Sequence, residues 1–374
     1  MIYTDTQWLE QAWEYTTQKL ERTRQRIGAT FPNASFNGQY DARELECWTN
    51  GFWPGILWLY FRETGDRQAQ EIAQDCEVQL DELLHEFEKL HHDNGFLWSL
   101  TSVANYKLTG NHLSRRRALI AASHLAGRFN LKGHFIRAWL HEGSEGLAII
   151  DCMMNLALLY WASETTGDPR FRHIAKAHSD MTIQQFVRQD GSVHHIVRFD
   201  PETGELIEGL GGQGYDPDSA WSRGTSWAIY GFAIGYRYTG DSRYLQTALD
   251  VADFWISQTQ QDRVPPWDFR APDDQLHIKD STAAACAASG MLELAYLLEQ
   301  DQDSRASIYR DHATATVESL FKDYTPQNDN EEALIIKGTA SYPARAEVEV
   351  PIIYGDYFFL EALAKLKGET HIFW

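Results

Sequence analysis

Apolar segments alternate along the chain with segments in which apolar and polar residues are mixed. Four segments would be apolar on nearly every side if they formed helices: residues 51–60, 152–161, 227–234 and 291–298. Residues 170–178, in contrast, mix apolar and polar side chains. A helix that is apolar all round is buried, and an amphipathic helix keeps one face in solvent. The pattern therefore predicts buried inner helices, each followed by an outer helix.

A short turn recurs between these two kinds of segment. Each copy places glycine before Asp or Asn, and the four copies are centred on Gly65, Gly110, Gly167 and Gly240. Glycine commonly ends a helix because it adopts positive φ freely, and Asp or Asn is a good N-cap for the next helix. Weaker turns at residues 300–303 and near Gly368 fit the same role.

Six helix hairpins in 374 residues allow roughly 60 residues for each hairpin, enough for two packed helices and their loops. Inner and outer helices in alternation predict an all-α protein, a closed (α/α)6 barrel, with residues 1–374 forming a single domain. An open solenoid is the alternative, and it would need polar caps at both ends. The sequence shows no strong caps of that kind.

Four polar or aromatic residues share one position relative to these turns. Each lies 16 or 17 residues before a turn glycine, and the four are Trp48, Asp93, Asp151 and Arg223. At 1.5 Å per residue this distance is about 24 Å, which puts them near the N-terminal ends of the inner helices. Helix N-termini attract anions, and Arg223 adds a full cation. We therefore expect the four residues to surround one mouth of the barrel and to form an anion site.

Each of these residues also has a simpler interpretation. Asp151 precedes an apolar helix, so it is either an N-cap or a functional acid. Arg223 and Trp227 lie one helical turn apart and share a face, as a substrate-binding pair or as a core Trp beside an exposed Arg.

Asp93 lies in the polar segment His91–Phe96. The simpler interpretation of this segment is a loop whose polar side chains are in solvent. A metal site that combines this segment with His194 and His195 is less favoured, because adjacent histidines rarely bind one ion without a third, spaced ligand. We expect no metal.

Composition narrows the possible partners. The net charge of −20 disfavours binding to nucleic acids and anionic membranes. The sequence contains no uninterrupted apolar stretch of the ~18 residues that span a bilayer, and residues 1–6 do not resemble a signal peptide, so we expect a cytoplasmic protein.

The four cysteines have no close-spaced pair and are expected to be reduced. Tryptophan is abundant, at 13 residues, which suits both helix packing and the binding of sugar faces.

Several stretches resemble one known family in order along nearly the whole chain. They are residues 48–58, 91–96, 149–152, 155–156, 221–232, 355–357 and 360–363. The resemblance is to the unsaturated glucuronyl hydrolases, glycoside hydrolase family 88. Residues 221–227, with the pattern Trp-x-Arg-Gly-x-x-Trp, are also similar to the unsaturated rhamnogalacturonyl hydrolases, whereas residues 91–96 favour the glucuronyl group.

The resemblance implies an (α/α)6 barrel without metal or other cofactor. It implies a hydrolase that releases 4,5-unsaturated glucuronic acid from lyase-generated oligosaccharides of the glycosaminoglycan type, by hydration of the C4=C5 bond. Asp151 would be the general acid and base, and Asp93 would assist. The resemblance also places a set of residues around the substrate: Trp48, His92, Phe96, Trp139, His194, Gln213, Trp221, Arg223 and Trp227.

Three alternatives remain open at this stage. The nearest is an unsaturated rhamnogalacturonyl hydrolase acting on pectin fragments, and the others are a sugar 2-epimerase on the same barrel and a catalytically silent sugar-binding barrel. Residues 342–350 lack the Ser and Lys arrangement associated with sulfated substrates in the family, which favours unsulfated fragments. The oligomeric state is not indicated by the sequence.

Overall fold

The computed structural model describes residues 7–327, 330–370 and 372–374. Residues 1–6, on which the expectation of no signal peptide rests, lie outside the described residues. The helices, in chain order, are α1 Gln7–Ile27, α2 Phe52–Thr64, α3 Arg67–Gln79, α4 Asn94–Trp98, α5 Ala104–Thr109, α6 His112–Gly127, α7 Cys152–Thr166, α8 Pro169–Gln185, α9 Ser222–Thr239, α10 Ser242–Gln258, α11 Ser281–Gln300, α12 Ala306–Asp323 and α13 Ile353–Leu366.

The helices form a closed double ring, as the repeat predicts. Helix α2 packs against α13, α13 against α11, α11 against α9, and α9 against α7, while α4 and the turn after it link α7 back to α2. Outer helices α3, α6, α8, α10 and α12 each pack beside the inner helix before them in the chain. The (α/α)6 barrel is thus confirmed.

The four predicted turns all have the expected conformation. The turn glycines end their helices with φ between 65° and 74°. The next residue caps the outer helix in each case, as Asp66 does by accepting a hydrogen bond from the backbone N–H of Ala69. Asn111, Asp168 and Asp241 act in the same way. Each cap contributes about 1 kcal/mol to helix stability.

The two weaker turns behave differently from each other. Gln302 takes a positive φ of 57° between α11 and α12, so this turn joins two helices as predicted. Gly368 takes a positive φ just after α13, but no helix follows it in the described residues, so the prediction of a sixth sequential hairpin was wrong. The outer helix beside α13 is α1, from the opposite end of the described chain.

One inner helix contains a local irregularity. Between α4 and α5 the chain makes a π-helical turn, Ser99–Val103. The buried carboxylate of Glu77, on outer helix α3, accepts hydrogen bonds from Ser102 Oγ at 2.7 Å and from Asn105 Nδ2 at 2.6 Å. Turns of this kind are often found near functional sites. Here the turn lies directly after α4, whose first residue follows Asp93.

The short strands all lie in the connections that lead to the beginnings of inner helices. They are β1 Ser35–Phe36, β2 Gln39–Tyr40, β3 Phe129–Asn130, β4 Phe135–Ile136, β5 Leu147–Ile149, β6 Ile196–Phe199 and β7 Leu206–Leu210. The last three form one antiparallel sheet in the order β5-β6-β7. One end of the barrel therefore has tight turns, and the other has long connections, where binding residues are usually found.

Aromatic side chains fill the centre of the ring. Phe358 contacts Phe52, Trp227 and Trp374, and Trp374 Nε1 donates a hydrogen bond to the buried carboxylate of Glu361 at 2.8 Å. Within the described residues, helix α11 is the one segment long and apolar enough to cross a membrane, and 94% of its apolar window is buried inside the barrel. It has the burial of a core helix. The four cysteines are free thiols, as expected.

We predict that Gly51→Ala destabilises the barrel. A Cβ at Gly51 would lie 2.0 Å from the backbone oxygen of Phe96, so the start of α2 and helix α4 would have to separate. Such overpacking should lower the free energy of unfolding by about 1–3 kcal/mol, measured by urea denaturation.

The matched control is Gly127→Ala at the end of α6, where a Cβ meets no atom within 4 Å. This variant should be neutral or gain up to about 1 kcal/mol, since alanine restricts the unfolded chain. Equal urea midpoints for Gly51→Ala and wild type would contradict the close approach of these two segments.

Candidate active site

The four residues predicted from spacing lie at one mouth of the barrel and line one pocket. The pocket has a volume of about 110 Å³. Its walls are formed by Trp48, His92, Asp93, Phe96, Trp139, Ile149, Asp151, Gln213, Trp221, Arg223 and Trp227. Residues at the beginnings of inner helices, together with residues such as Trp139 from the long connections before them, thus place two carboxylates and four tryptophans around one small space.

Of the substrate-binding residues suggested by the family resemblance, only His194 does not line this pocket. Its ring contacts Arg188 Nη2 and the backbone oxygen of Pro217, both at 2.9 Å from Nδ1. The next residue, His195, has its Nε2 3.8 Å from Asp151 Oδ1, and its ring centroid lies 4.2 Å from that of Trp221. The role of His194 in substrate binding stays a prediction, and His195 is the histidine that lies nearer to the Asp151 carboxylate.

Asp151 is not a helix cap. Although it immediately precedes α7, its side chain makes no capping hydrogen bond. Its Oδ1 lies 3.8 Å from His195 Nε2, and its Oδ2 is buried without a hydrogen-bond partner among the described residues. The backbone N–H of Ile150 donates to His195 O, which extends the pairing of β5 with β6 and fixes the two residues side by side. Asp151 thus presents an available carboxylate oxygen in the pocket wall.

Asp93 is held far more tightly than Asp151. His92 Nε2 lies 3.1 Å from its Oδ1, and His91 Nδ1 lies 3.2 Å from its Oδ2. Burial alone would raise the pKa of this carboxyl, but the neighbouring imidazoles outweigh burial and hold the pKa well below its ordinary value. Asp93 is therefore ionised at neutral pH.

His92 faces a hydrogen-bond acceptor on each side of its ring. Its Nδ1 lies 3.0 Å from the backbone oxygen of Ala138, opposite the contact of Nε2 with Asp93. Two acceptors are best satisfied by two N–H groups, which only the imidazolium has. Burial alone would lower the pKa of His92, but the Asp93 carboxylate outweighs it and the pKa is raised.

Asn155 connects the carboxylate of Asp93 with the backbone of Asp151. Its Nδ2 donates to Asp93 Oδ1 at 3.1 Å and to the backbone oxygen of Asp151 at 3.2 Å, and its Oδ1 accepts from the backbone N–H of Phe96 at 2.7 Å. The residue is fully buried and does not line the pocket. Asn155 lies one helical turn after Asp151, on the same face, and this spacing could have identified it from the sequence.

Arg223 does not supply the free cation that the sequence suggests. Its Nη1 forms a buried ion pair with Asp280 at 2.8 Å, and its remaining contacts include the backbone oxygens of Thr339 and Ala340. The guanidinium also lies over the ring of Trp221, at 4.5 Å from the centroid. A buried charge requires such a partner, and no local spacing connects residue 223 with residue 280.

The buried carboxylate of Asp268 fixes the conformation of the loop that carries Gln213 and Trp221. Asp268 accepts hydrogen bonds from the backbone N–H groups of Tyr215 and Ala220 and from Ser219 Oγ. Gln213 Nε2 donates to Ala340 O, so this loop meets the segment that also binds Arg223. This side of the pocket is thus held together by three connections, α8–α9, α10–α11 and α12–α13.

A larger groove, of about 490 Å³, lies between the β3–β4 hairpin and α8. Its one lining carboxylate, Asp180, already pairs with Arg243 and accepts a hydrogen bond from Tyr244. Size alone favours this groove, but converging acids and aromatic rings favour the smaller pocket as the reactive site.

Two carboxylates and four tryptophans at one mouth of an (α/α)6 barrel define a carbohydrate-active enzyme. The sequence profile described as Glycosyl Hydrolase Family 88 matches residues 19–238, and the chain belongs to this family.

The chain is similar to proteins whose activity is named. It is 38% identical over 361 residues to the unsaturated glucuronyl hydrolase of Bacillus sp. (strain GL1), covering 94% of this chain and 95% of that protein. It is 35% identical to the unsaturated chondroitin disaccharide hydrolase of Streptococcus pyogenes serotype M1, covering 92% and 87%. The crystal structure of the Bacillus sp. GL1 enzyme superposes with a TM-score of 0.92 at 37% identity, covering 96% and 97%. The chain is thus a glycoside hydrolase.

We predict that Asn155→Ala impairs the reaction and the fold together. The Phe96 N–H would lose its acceptor in a buried position, at a cost of about 1–3 kcal/mol in the free energy of unfolding. Asp93 would lose its fixed orientation, so kcat should fall roughly 10- to 100-fold, as misplaced catalytic groups commonly cost.

The control for this variant is Asn105→Ala, which removes an equally buried amide from the same ring, away from the pocket. It should cost comparable stability without the loss in kcat. A similar kcat for both variants, measured in the folded range, would remove Asn155 from its positioning role.

We also predict that His178, on α8, makes the protein sensitive to acid. Its Nδ1 accepts from the backbone N–H of Ile136. Burial, aided by the charge of His92, lowers the pKa of His178 from 6.5 to about 3. Below pH 6.5 the unfolded chain therefore binds a proton that the folded protein excludes, and stability is lost as the pH falls towards 3.

Urea unfolding of wild type and His178→Gln at pH 6.5 and 4.5 isolates this effect. At one proton per chain the slope is about 1.4 kcal/mol per pH unit, so wild type should lose about 2 kcal/mol more than the variant. Parallel losses in the two proteins would exclude His178 as the acid-sensitive group.

Proposed function

We propose that this hydrolase releases 4,5-unsaturated glucuronic acid from lyase-generated glycosaminoglycan-type oligosaccharides by hydrating the C4=C5 bond. The observation that carries this proposal is the unpartnered, buried Oδ2 of Asp151 beside a firmly ionised Asp93. Two carboxylates with different environments suit different roles in one reaction. The names of the relatives support the same substrate class.

In the first step, Asp151 delivers a proton to C4 of the sugar. Positive charge then develops at C5 and on the ring oxygen bonded to it. Water adds to C5 and gives a proton back to Asp151, so that one C–H and one C–O bond form and the side chain is restored. The C5 hemiketal then opens its bond to the ring oxygen, and the hemiacetal left at C1 collapses and expels the partner sugar.

Asp93 stabilises the charge that develops in this step. Its carboxylate keeps a full negative charge because His91 and His92 hold its pKa low. A fixed anion beside the sugar ring favours the cationic transition state over the neutral substrate, and it needs no reorganisation when the charge appears. Asn155 keeps this carboxylate in place relative to the backbone of Asp151.

The remaining walls suit an anionic sugar. Trp48, Trp139 and Trp227 offer apolar ring faces and, in part, polar N–H edges. Arg223 has five N–H donors, and its contacts with Asp280, Thr339 and Ala340 leave donors for a substrate carboxylate. Since Asp280 balances its charge, Arg223 would recognise the carboxylate mainly through directed hydrogen bonds.

Unsulfated fragments are the preferred substrates in this proposal. The segment near the mouth carries Arg345, whose guanidinium lies over the ring of Tyr342 at 4.3 Å, and Tyr342 packs on Trp267. This segment presents a stacked aromatic surface in place of a Ser and Lys pair. We propose cytoplasmic action on small imported fragments, without nucleic-acid or membrane partners.

We predict that Asp151→Asn abolishes the loss of ultraviolet absorbance by the conjugated double bond of an unsaturated chondroitin disaccharide. Removing a general acid and base should lower kcat by about 10²- to 10⁴-fold, with little change in unfolding. Asp168→Asn is the matched control: Asp168 caps α8 and pairs with Arg170 at the surface, away from the pocket, and Asn caps equally well.

The same assay with an unsaturated galacturonyl substrate distinguishes the proposed glucuronyl hydrolase from the alternative, an unsaturated rhamnogalacturonyl hydrolase acting on pectin fragments. Faster turnover of the galacturonyl compound would replace the glucuronyl proposal. Equal rates for Asp151→Asn and wild type would keep the reaction and remove Asp151 from it. No absorbance loss with either substrate would overturn the hydration proposal.

A further inference from the structure

Three consecutive residues, His91, His92 and Asp93, bring potential metal ligands close together. One ligand atom from each of His91, His92 and Asp93 lies within 4.8 Å of the others, and His91 Nδ1 and His92 Nε2 are the ring nitrogens that face the Asp93 carboxylate. Two imidazoles and one carboxylate are a ligand set that borderline divalent metal ions bind well, and two of the three residues, His92 and Asp93, line the pocket. The proposed hydration reaction does not use this property.

The far side of each imidazole supports this interpretation independently. His91 Nε2 lies 3.2 Å from the backbone oxygen of Glu46, and His92 Nδ1 lies 3.0 Å from the backbone oxygen of Ala138. Each oxygen accepts an N–H and thereby turns the other nitrogen towards Asp93. Metal-binding histidines are oriented by the same kind of contact, which fixes both the ring and its tautomer.

We propose that His91, His92 and Asp93 form a site for a divalent transition-metal ion such as Zn²⁺, and that the bound ion inhibits the enzyme. Zn²⁺ forms bonds of about 2.0–2.1 Å to histidine nitrogen, so two ligand nitrogens stand at most about 4.2 Å apart. The ligand atoms of the cluster are separated by at most 4.8 Å, close to this limit. The ion would replace the proton between His92 and Asp93, and His91 Nδ1 would give up its contact with the backbone N–H of Asp93.

Inhibition follows from the place of Asp93 in the pocket wall. An ion on its carboxylate cancels the negative charge that favours the cationic transition state, and it brings its own positive charge to the same spot. The metal site itself does not depend on the proposed reaction, whereas the inhibition does. Binding and activity are therefore measured separately.

The binding experiment is calorimetric titration of the chelator-treated protein with ZnCl₂. We expect one ion per chain for wild type and at least tenfold weaker binding for His91→Gln and for His92→Gln. His173→Gln, on the exposed face of α8, is the matched control and should bind like wild type. Addition of Co²⁺ to unmodified wild type provides a second measurement, in which visible absorption bands report coordination without any substitution.

Equal Zn²⁺ affinity in wild type, His91→Gln and His92→Gln would overturn the proposed ligands. Absence of both calorimetric binding and Co²⁺ absorption in wild type would overturn the site. In the disaccharide assay, Zn²⁺ should inhibit wild type, and His91→Gln should need at least tenfold more Zn²⁺ for the same fractional inhibition of its own metal-free rate. Binding without inhibition would keep the site and reject its effect on activity.

Discussion

The common direction of the inner helices is the constraint on which this molecule depends. Tight turns join each inner helix to the next outer helix, so every inner helix must run from the same mouth towards the turns. Their beginnings therefore meet around one opening, and residues that are far apart in the chain become neighbours there. The two carboxylates, the tryptophans and Arg223 share a pocket because of this chain direction.

Much of this arrangement could be predicted because it follows from local sequence signals. Turn glycines with a following cap mark the ends of helices, and counting back from them places Asp93 and Asp151 at one depth. Side-chain orientation within irregular connections has no such signal. His194 and His195 illustrate this limit: the pairing of β6 with β5 decides which of them faces Asp151, and no spacing indicates that pairing.

Long-range pairing of charges was also beyond prediction. Arg223 was expected to provide a free cation, yet Asp280, on the connection before α11, neutralises it inside the barrel. Asp93 is likewise balanced by His92. Buried charges are stable only with such partners. Asp151, with His195 no closer than 3.8 Å, stands apart from these compensated pairs, and a reactive carboxylate needs that freedom.

The contact between α1 and α13 has a consequence for how the barrel is made. It joins parts of the chain separated by more than three hundred residues, so closure carries a high contact order and a large loop-closure entropy. During synthesis the first hairpins emerge long before α13, the helix against which α1 and α2 pack. Until then their apolar faces are exposed to solvent or bound by chaperones. The open, aggregation-prone arc thus becomes a ring when α13, the inner helix nearest the C-terminal end of the described residues, packs against α2 and α11.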